Sequence, residues 1–261
     1  MRATASVMER PGRWAAWMLG AGAIGASCAY TGILDPGRLA SGVPNILKIV
    51  GEMFPPNFGI LPGLAGPTLE TIAMSVAGTS LAVAAAFPLS LLAARSTAPH
   101  PLLSAAARGL FNILRAIPEL IMGILFVAAL GFGVLPGVLA LGVHSIGMLG
   151  KFFAEAIEKA DPGPVEAVAA TGAGRMQVIL FGVLPQVSAS LIDYSLYRWE
   201  YNFRASTVMG MVGAGGLGFQ IVASLRILQY QDVLTCLAVV LVMVALVDQV
   251  GGRIRDRIVR P

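Results

Sequence analysis

Residues Trp14–Leu34 read WAAWMLGAGAIGASCAYTGIL, twenty-one consecutive residues without a formal charge. A helix rises about 1.5 Å per residue, so about 20 residues match a hydrocarbon core about 30 Å thick. The three arginines before this stretch, Arg2, Arg10 and Arg13, give it the flank of a secretory signal. Its C-terminal end, however, runs into Asp35-Pro36, not a small-residue cleavage site, so it reads as a retained first span. The same ruler marks 67–94, 109–131, 134–151, 185–212 and 232–251 as further spans. Pro136-Gly137 is expected to supply the turn that divides the apolar run from Leu120 to Gly150, which is too long for one crossing.

Composition agrees with this reading. The 261 residues carry 18 Lys+Arg and 14 Asp+Glu, and 12% charged against 56% hydrophobic leaves too few charges to solvate a soluble domain. A soluble globular enzyme, a disordered chain and a collagen-like fibre are excluded. The net charge of +4 is better explained by cytoplasmic loops than by nucleic acid. Cys28 and Cys236 both lie in apolar runs without CxxC or Cys/His spacing, so neither a disulfide framework nor a metal site is expected.

Lys and Arg are retained on the cytoplasmic side. With six spans, Arg2/Arg10/Arg13, Arg95/Arg108, Lys151/Lys159/Arg175 and Arg253/Arg255/Arg257/Arg260 all fall on one face. Both termini are then cytoplasmic and 35–66 is external. Within that segment Leu39, Val43, Ile46, Leu47, Val50 and Phe54 form an amphipathic pattern that Pro55-Pro56 ends, as expected of a helix lying on the membrane face. A seven-span alternative treats Ala205–Leu225 as another crossing and puts the arginine-rich tail outside. Gly210, Gly213, Gly215, Gly216 and Gly218 argue against it, because so many glycines suit a break or re-entrant segment better than a lone span.

Between the fourth and fifth spans, about 160–184, Asp161-Pro-Gly-Pro164 opens a short alanine-rich helix. Glu166 favours its N-terminus, Gly172 ends it, and a second short helix runs from about Arg175 to near Pro185. The small side chains of this helix-turn-helix let another protein approach the backbone closely. Glu166-Ala167, Gly172 six residues on, and Leu184-Pro185 with its proline thirteen residues after that glycine resemble the EAA loop of ABC importer permeases. Gly182 stands where that pattern has an aliphatic residue. Downstream, Arg198-Trp-Glu-Tyr-Asn-Phe-Arg-Ala-Ser-Thr-Val-Met-Gly-Met-Val-Gly-Ala-Gly-Gly-Leu-Gly218 is similar to the phosphonate-type branch of these permeases. So are Arg115-Ala-Ile-Pro-Glu119 and His144-Ser-Ile-Gly147, and together these cover most of 108–257.

Charges at membrane depth cost several kcal/mol unless paired or hydrated. Arg115 and Glu119, and likewise Glu200 and Arg204, are four residues apart and share a helix face. Each pair is either a clamp between helices or the setting of a cation that faces the path, and Arg115 can also snorkel to the cytoplasmic interface. Asp193 and Arg198 are less well aligned and are left to neighbouring spans. His144 is a proton relay or, without a second histidine near it in sequence, a helix contact. Ser206 and Thr207 either donate into the path or bond to their own backbone. The glycines from 210 to 218 fit close packing or a hinge near the outer face. The lysine and hydroxyl of a nucleotide-binding loop are missing from them.

The resemblance implies an all-α polytopic integral membrane protein with the ABC importer permease fold, a single transmembrane domain over 1–261. It implies a bacterial inner-membrane importer of phosphorus oxyanions: phosphonate, phosphite or hypophosphite. The coupling residues are then Glu166, Ala167, Ala170, Thr171, Gly172, Ala173, Leu184 and Pro185. Arg115, Glu119, Glu200, Asn202, Arg204, Ser206, Thr207, Gly215 and Gly216 belong to the path or gate. No cofactor is expected on this chain, since ATP and magnesium belong to a cytoplasmic ATPase dimer. The other partners are a periplasmic binding protein, a second permease chain (a copy or a paralogue) and membrane lipid. A secondary transporter or channel for a small anion is the rival class, without clear inverted repeats or a mid-span carboxylate relay to favour it. An integral-membrane enzyme is a further rival, and with only His100 and His144 the chain offers it no metal or nucleophile cluster.

Overall fold

The computed structural model describes residues 11–258. Arg2, Arg10 and Arg260 lie outside the described residues, as do the side chains of Arg13 and Leu39. The secondary structure is helical throughout the described chain, in agreement with the all-α expectation. Two units are described separately. The first, ending at Phe54, holds α1 (Pro11–Thr31) and α2 (Pro36–Glu52). Asp35 Oδ1 accepts from Gly37 N at 2.9 Å at the start of α2, whose apolar side chains Val43, Ile46, Leu47 and Val50 are exposed.

The second unit begins with a 3₁₀ segment, Phe58–Leu64, that feeds α3 (Ala65–Ala93). The segment read as external therefore ends in the approach to this helix. Next along the chain come α4 (Pro101–Ala116), α5 (Glu119–Leu130), α6 (Val134–Glu158), α7 (Pro162–Ala170), α8 (Arg175–Val178), α9 (Leu184–Met209), α10 (Gly216–Arg226) and α11 (Tyr230–Ile258). Among the described residues four helical stretches, 58–93, 134–158, 175–214 and 230–258, are long and apolar enough to cross a membrane.

The expected uninterrupted span over 109–131 is broken. α4 and α5 form one apolar unit bent by 85°. Pro118 has no N–H to donate and forces Ile117 out of the helical region, to φ −86° and ψ 119°, so the helix cannot continue through Ala116. Pro136-Gly137 is not a turn either. Both lie in the first turn of α6, where proline is tolerated, and the connection is made by Gly131 and Gly133 at φ +86° and +138°. The helix starting at Arg175 likewise does not stop at Pro185. A π-helical segment, Ile179–Val183, carries it into α9, whose first turn holds that proline.

Small residues set the packing, as they do where lipid supplies no hydrophobic drive between helices. α3 crosses α6 at Gly78 and Gly142: a Cβ on Gly78 would lie 3.2 Å from Leu141 Cβ, and one on Gly142 would lie 2.7 Å from Leu81 Cδ2. Around this crossing Ala82, Ala86, Ala140 and Leu141 are fully buried, and Phe111 of α4 fills the hollow over Gly150.

Candidate functional site

Two places combine unusual local geometry with polar chemistry. The first is the loop between α6 and α9. Asp161, not Glu166, caps α7, with its Oδ1 accepting from Gly163 N at 2.9 Å; Glu166 sits mid-helix and is exposed. The helix ends at Thr171, and Gly172 turns the chain with φ +80°, a conformation L side chains resist. Gly174 N then donates to Gln177 Oε1 at 2.7 Å, starting α8. Gln186 ties both ends together, accepting from Asp161 N at 2.9 Å and donating to Gly182 O at 2.7 Å. Arg175 anchors the loop to the α3–α4 connection through Thr97 O at 2.7 Å.

Gly182 packs closely here: a Cβ on it would lie 3.1 Å from Val165 Cα, so a side chain would push the π-helical segment and α7 apart by a few tenths of an ångström. No described residue of α7 is buried. Ala167, Ala170, Thr171 and Gly172 are exposed beside Met176, while Ala173 and Leu184 are half-buried and Pro185 is exposed. The result is a braced knuckle presenting backbone and small side chains outward.

The second place is a polar cluster where α3, α5, α6 and α9 meet. Arg198, only 2% exposed, donates from Nε to Ser145 Oγ at 2.7 Å and from Nη1 to Met148 Sδ at 3.0 Å, with its guanidinium 4.3 Å from the Tyr201 ring centroid. Ser145 passes the chain on to Asn202 Oδ1 at 3.1 Å. Asn202 Nδ2 donates to Thr79 Oγ1 at 2.9 Å, and Thr79 donates to Ser75 O at 2.7 Å. Glu119 Oε1 accepts from Tyr201 Oη at 3.1 Å. Its Oε2 stands 3.9 Å from Arg198 Nη2 and 4.0 Å from His144 Nε2. Glu119 Oε2, Arg198 Nη2 and His144 Nδ1 are buried without a hydrogen-bond partner among the described residues.

The expected i,i+4 pairs do not form. Arg115 is exposed on α4, and Glu119 is carried away from it by the bend. Glu200 turns to α11, where Arg255 Nη2 meets it at 3.2 Å while Arg255 Nε meets Asp193 at 2.6 Å. Gly251 leaves the room for this, since a Cβ there would collide with Glu200 Oε1. Arg204 pairs with Asp248 at 3.0 Å, both about half exposed. Ser206 and Thr207 bond back to Phe203 O and Arg204 O, both at 2.6 Å. Gly213, Gly215 and Gly216 all have positive φ and break the helix after α9. The first amides of α10, which have no partner within the helix, donate to Glu70 Oε2, from Gly216 N at 2.7 Å, and to Thr71 Oγ1, from Leu217 N at 2.9 Å.

Asn202 and Glu119 thus belong to the buried cluster that sequence reasoning sought, but its centre, Arg198 with Ser145 and Thr79, was missed. A signal was available. Thr71, Ser75 and Thr79 repeat every four residues on α3, and Arg198, Tyr201 and Asn202 share one face of α9.

A family model described as binding-protein-dependent transport system inner membrane component matches residues 86–260. The chain is 58% identical over 229 residues to the phosphite transport system permease protein PtxC of Stutzerimonas stutzeri, covering 88% of this chain and 83% of that one. It is 46% identical over 226 residues to the phosphate-import permease protein PhnE of Mycolicibacterium smegmatis, covering 87% of this chain and 42% of that longer relative. The fold is similar to an inward facing conformation of the MetNI methionine ABC transporter, with a TM-score of 0.69 at 23% identity over 78% of this chain and 100% of that one. With the polytopic all-α architecture and the loop geometry already described, these matches make the chain a transport permease subunit, a member of the binding-protein-dependent transport system inner membrane components in their phosphonate/phosphite-type branch.

Proposed function

We propose that this chain forms the translocation path of an ATP-binding-cassette importer for a phosphorus oxyanion, delivered by a periplasmic binding protein and driven by a separate ATPase dimer. The observation that carries the reading is the 58% identity over 88% of the chain to a phosphite transport permease. Phosphate in the name of a second relative keeps the cargo at the level of the class. The 160–184 loop is the coupling element: its exposed knuckle at Gly172 docks in a cleft of the ATPase, with Glu166, Ala167, Ala170, Thr171, Ala173, Leu184 and Pro185 shaping the contact. One such loop per chain against the two clefts of an ATPase pair calls for two permease chains, most simply a symmetric homodimer. Six spans, with α1 as the first and the bent α4–α5 unit as the third, put both termini on the cytoplasmic side of the inner membrane.

Arg204 and Arg115, both exposed on this chain, are the parts a second chain and the cargo would meet, and Gly215 and Gly216 are the break on which a gate would turn. The test is reconstitution with the ATPase and binding protein in lipid vesicles, followed by uptake of labelled phosphite, methylphosphonate, phosphate and sulfate. ATP-dependent accumulation of a phosphorus oxyanion without sulfate is expected. Accumulation driven by a proton gradient without ATP would replace the importer with a secondary transporter.

A further inference from the structure

We propose that Arg198 is the intramembrane cation that receives the oxyanion in transit, and that Glu119 is its resident counter-ion, exchanged for cargo when α5 moves on the Ile117–Pro118 break. The proposal rests on the reading of the chain as an oxyanion permease and goes beyond it by assigning a site.

Inside a low-dielectric region an ion pair must close and have its remaining donors satisfied to offset desolvation. Among the described arginines that face a carboxylate, the more exposed ones are those that close: Arg108 on Glu158 at 2.6 Å, Arg204 on Asp248 at 3.0 Å and Arg255 on Asp193 at 2.6 Å. Arg198, with 2% of its side chain exposed, stands 3.9 Å from Glu119, beyond hydrogen-bonding distance. Two of its three nitrogens are met by neutral atoms, a hydroxyl and a thioether, and Nη2 by none among the described residues. A pair built only to lock helices would not leave a guanidinium donor and a carboxylate oxygen unused opposite each other.

The unused guanidinium donor matches an oxygen of a tetrahedral oxyanion, and the carboxylate oxygen opposite it holds the place that such an oxygen would take. Nη2 offers a charge-assisted donor to an ionised oxygen, as guanidinium does for phosphate-like groups generally. The mounting of the two charges differs in the way exchange requires. Arg198 is braced by Ser145 and Met148 of α6 on a 26-residue helix, and the hydrogen-bond chain through Asn202 and Thr79 holds Ser145 in place. Glu119 is the first residue of a 12-residue helix beginning directly after an 85° bend, and its contact at hydrogen-bonding distance is to the Tyr201 hydroxyl. Moving α5 therefore withdraws the carboxylate and leaves the guanidinium where it is, so the arriving negative charge replaces the departing one.

Assembly, read by membrane abundance and copurification with the ATPase, and phosphite uptake per assembled complex are measured in reconstituted vesicles. Glu119→Gln with Arg198→Gln removes both charges and leaves no buried ion unpaired. The expected result is assembly retained and uptake lowered about ten- to a hundredfold, the loss of a charged hydrogen bond to the cargo. Assembly with wild-type uptake would overturn the proposal. Should the double variant not assemble, Arg198→Lys decides, because it preserves the pair's charge. The lysine ammonium ends one atom short of Nη2 and lacks the planar fork that serves Ser145 and the cargo from separate nitrogens, so assembled complex with uptake down about tenfold is expected, and wild-type uptake overturns the assignment. Wild-type vesicles that take up no phosphorus oxyanion would defeat the proposed function as well, whereas active wild type beside an equally active variant defeats this proposal alone.

Discussion

Ser145 Oγ accepts from Arg198 Nε and donates to Asn202 Oδ1, so one hydroxyl joins a buried cation to a buried amide. Ser145→Ala leaves both without that partner, at a cost of about 1–3 kcal/mol because the donor is charged and the site is buried. Thermal unfolding in detergent is expected to show a clear loss of stability for Ser145→Ala and little change for Ser188→Ala, whose hydroxyl bonds to Pro185 O in an exposed position. Helix periodicity told that Glu200 and Arg204 share a face of α9, whereas Asn202 came into the candidate site through the resemblance to phosphonate-type permeases. Periodicity misled at Glu200 and Arg204, because spacing along one helix says nothing of what the neighbouring helix offers. Glu200, 8% exposed, finds Arg255 across the gap that Gly251 leaves open, while Arg204 reaches Asp248 on the same helix, α11. Cross-helix partners at membrane depth belong to tertiary structure, which is why Arg198 was visible in the sequence as a charge but not as the centre of the cluster.

At the scale of elements, the loop between α6 and α9, proposed as the coupling element, was the most legible part of the chain because its signals are local. Proline and aspartate start α7, and a glycine stops it. What sequence could not give was the π-helical segment, Ile179–Val183, that leads into α9 and its Pro185, where Gly182 lies against Val165 of α7, a tertiary contact. The break at Pro118 was concealed by a run of apolar residues of the right length for one span, for a length ruler counts residues and not bends. Gly172 gives the sharpest test of the loop. A Cβ there meets nothing within 4 Å, so substitution costs only the strain of its positive φ, of order 1–2 kcal/mol and less for asparagine. Gly172→Asn is expected to assemble and transport near the wild-type level. Gly172→Arg is expected to insert in the membrane normally and to lose ATPase copurification and uptake together. Full uptake by the arginine variant would remove the loop from the coupling role.

For the whole molecule the number of bilayer crossings decides which side each loop faces, and the glycine break after α9 bears on it directly. A seventh span over 205–225 would need an uninterrupted helix about 30 Å long. The structure places a break at Gly213, Gly215 and Gly216 inside that stretch, and α10, with 11 residues, extends only about 17 Å. The first amides of α10 are satisfied by Glu70 and Thr71 of α3, which suits a helix end enclosed by protein and not one facing lipid. With that candidate removed, the stretches 58–93, 134–158, 175–214 and 230–258 and the bent α4–α5 unit make up to five crossings among the described residues; the proposed sixth, α1, would make the number even and return the arginines at 253, 255 and 257 to the side of Arg95 and Arg108. Single cysteines placed at Asn45, at Ala167 and after the C-terminus, in a version with Cys28 and Cys236 replaced by serine, test this in intact cells with a membrane-impermeant maleimide. Labelling is expected at position 45 alone, and at the other two positions only after the membrane is opened. A C-terminal cysteine that labels from outside while position 167 does not would restore the seven-span arrangement. Labelling of position 167 from outside would invert the whole chain and take the coupling loop away from any cytoplasmic ATPase.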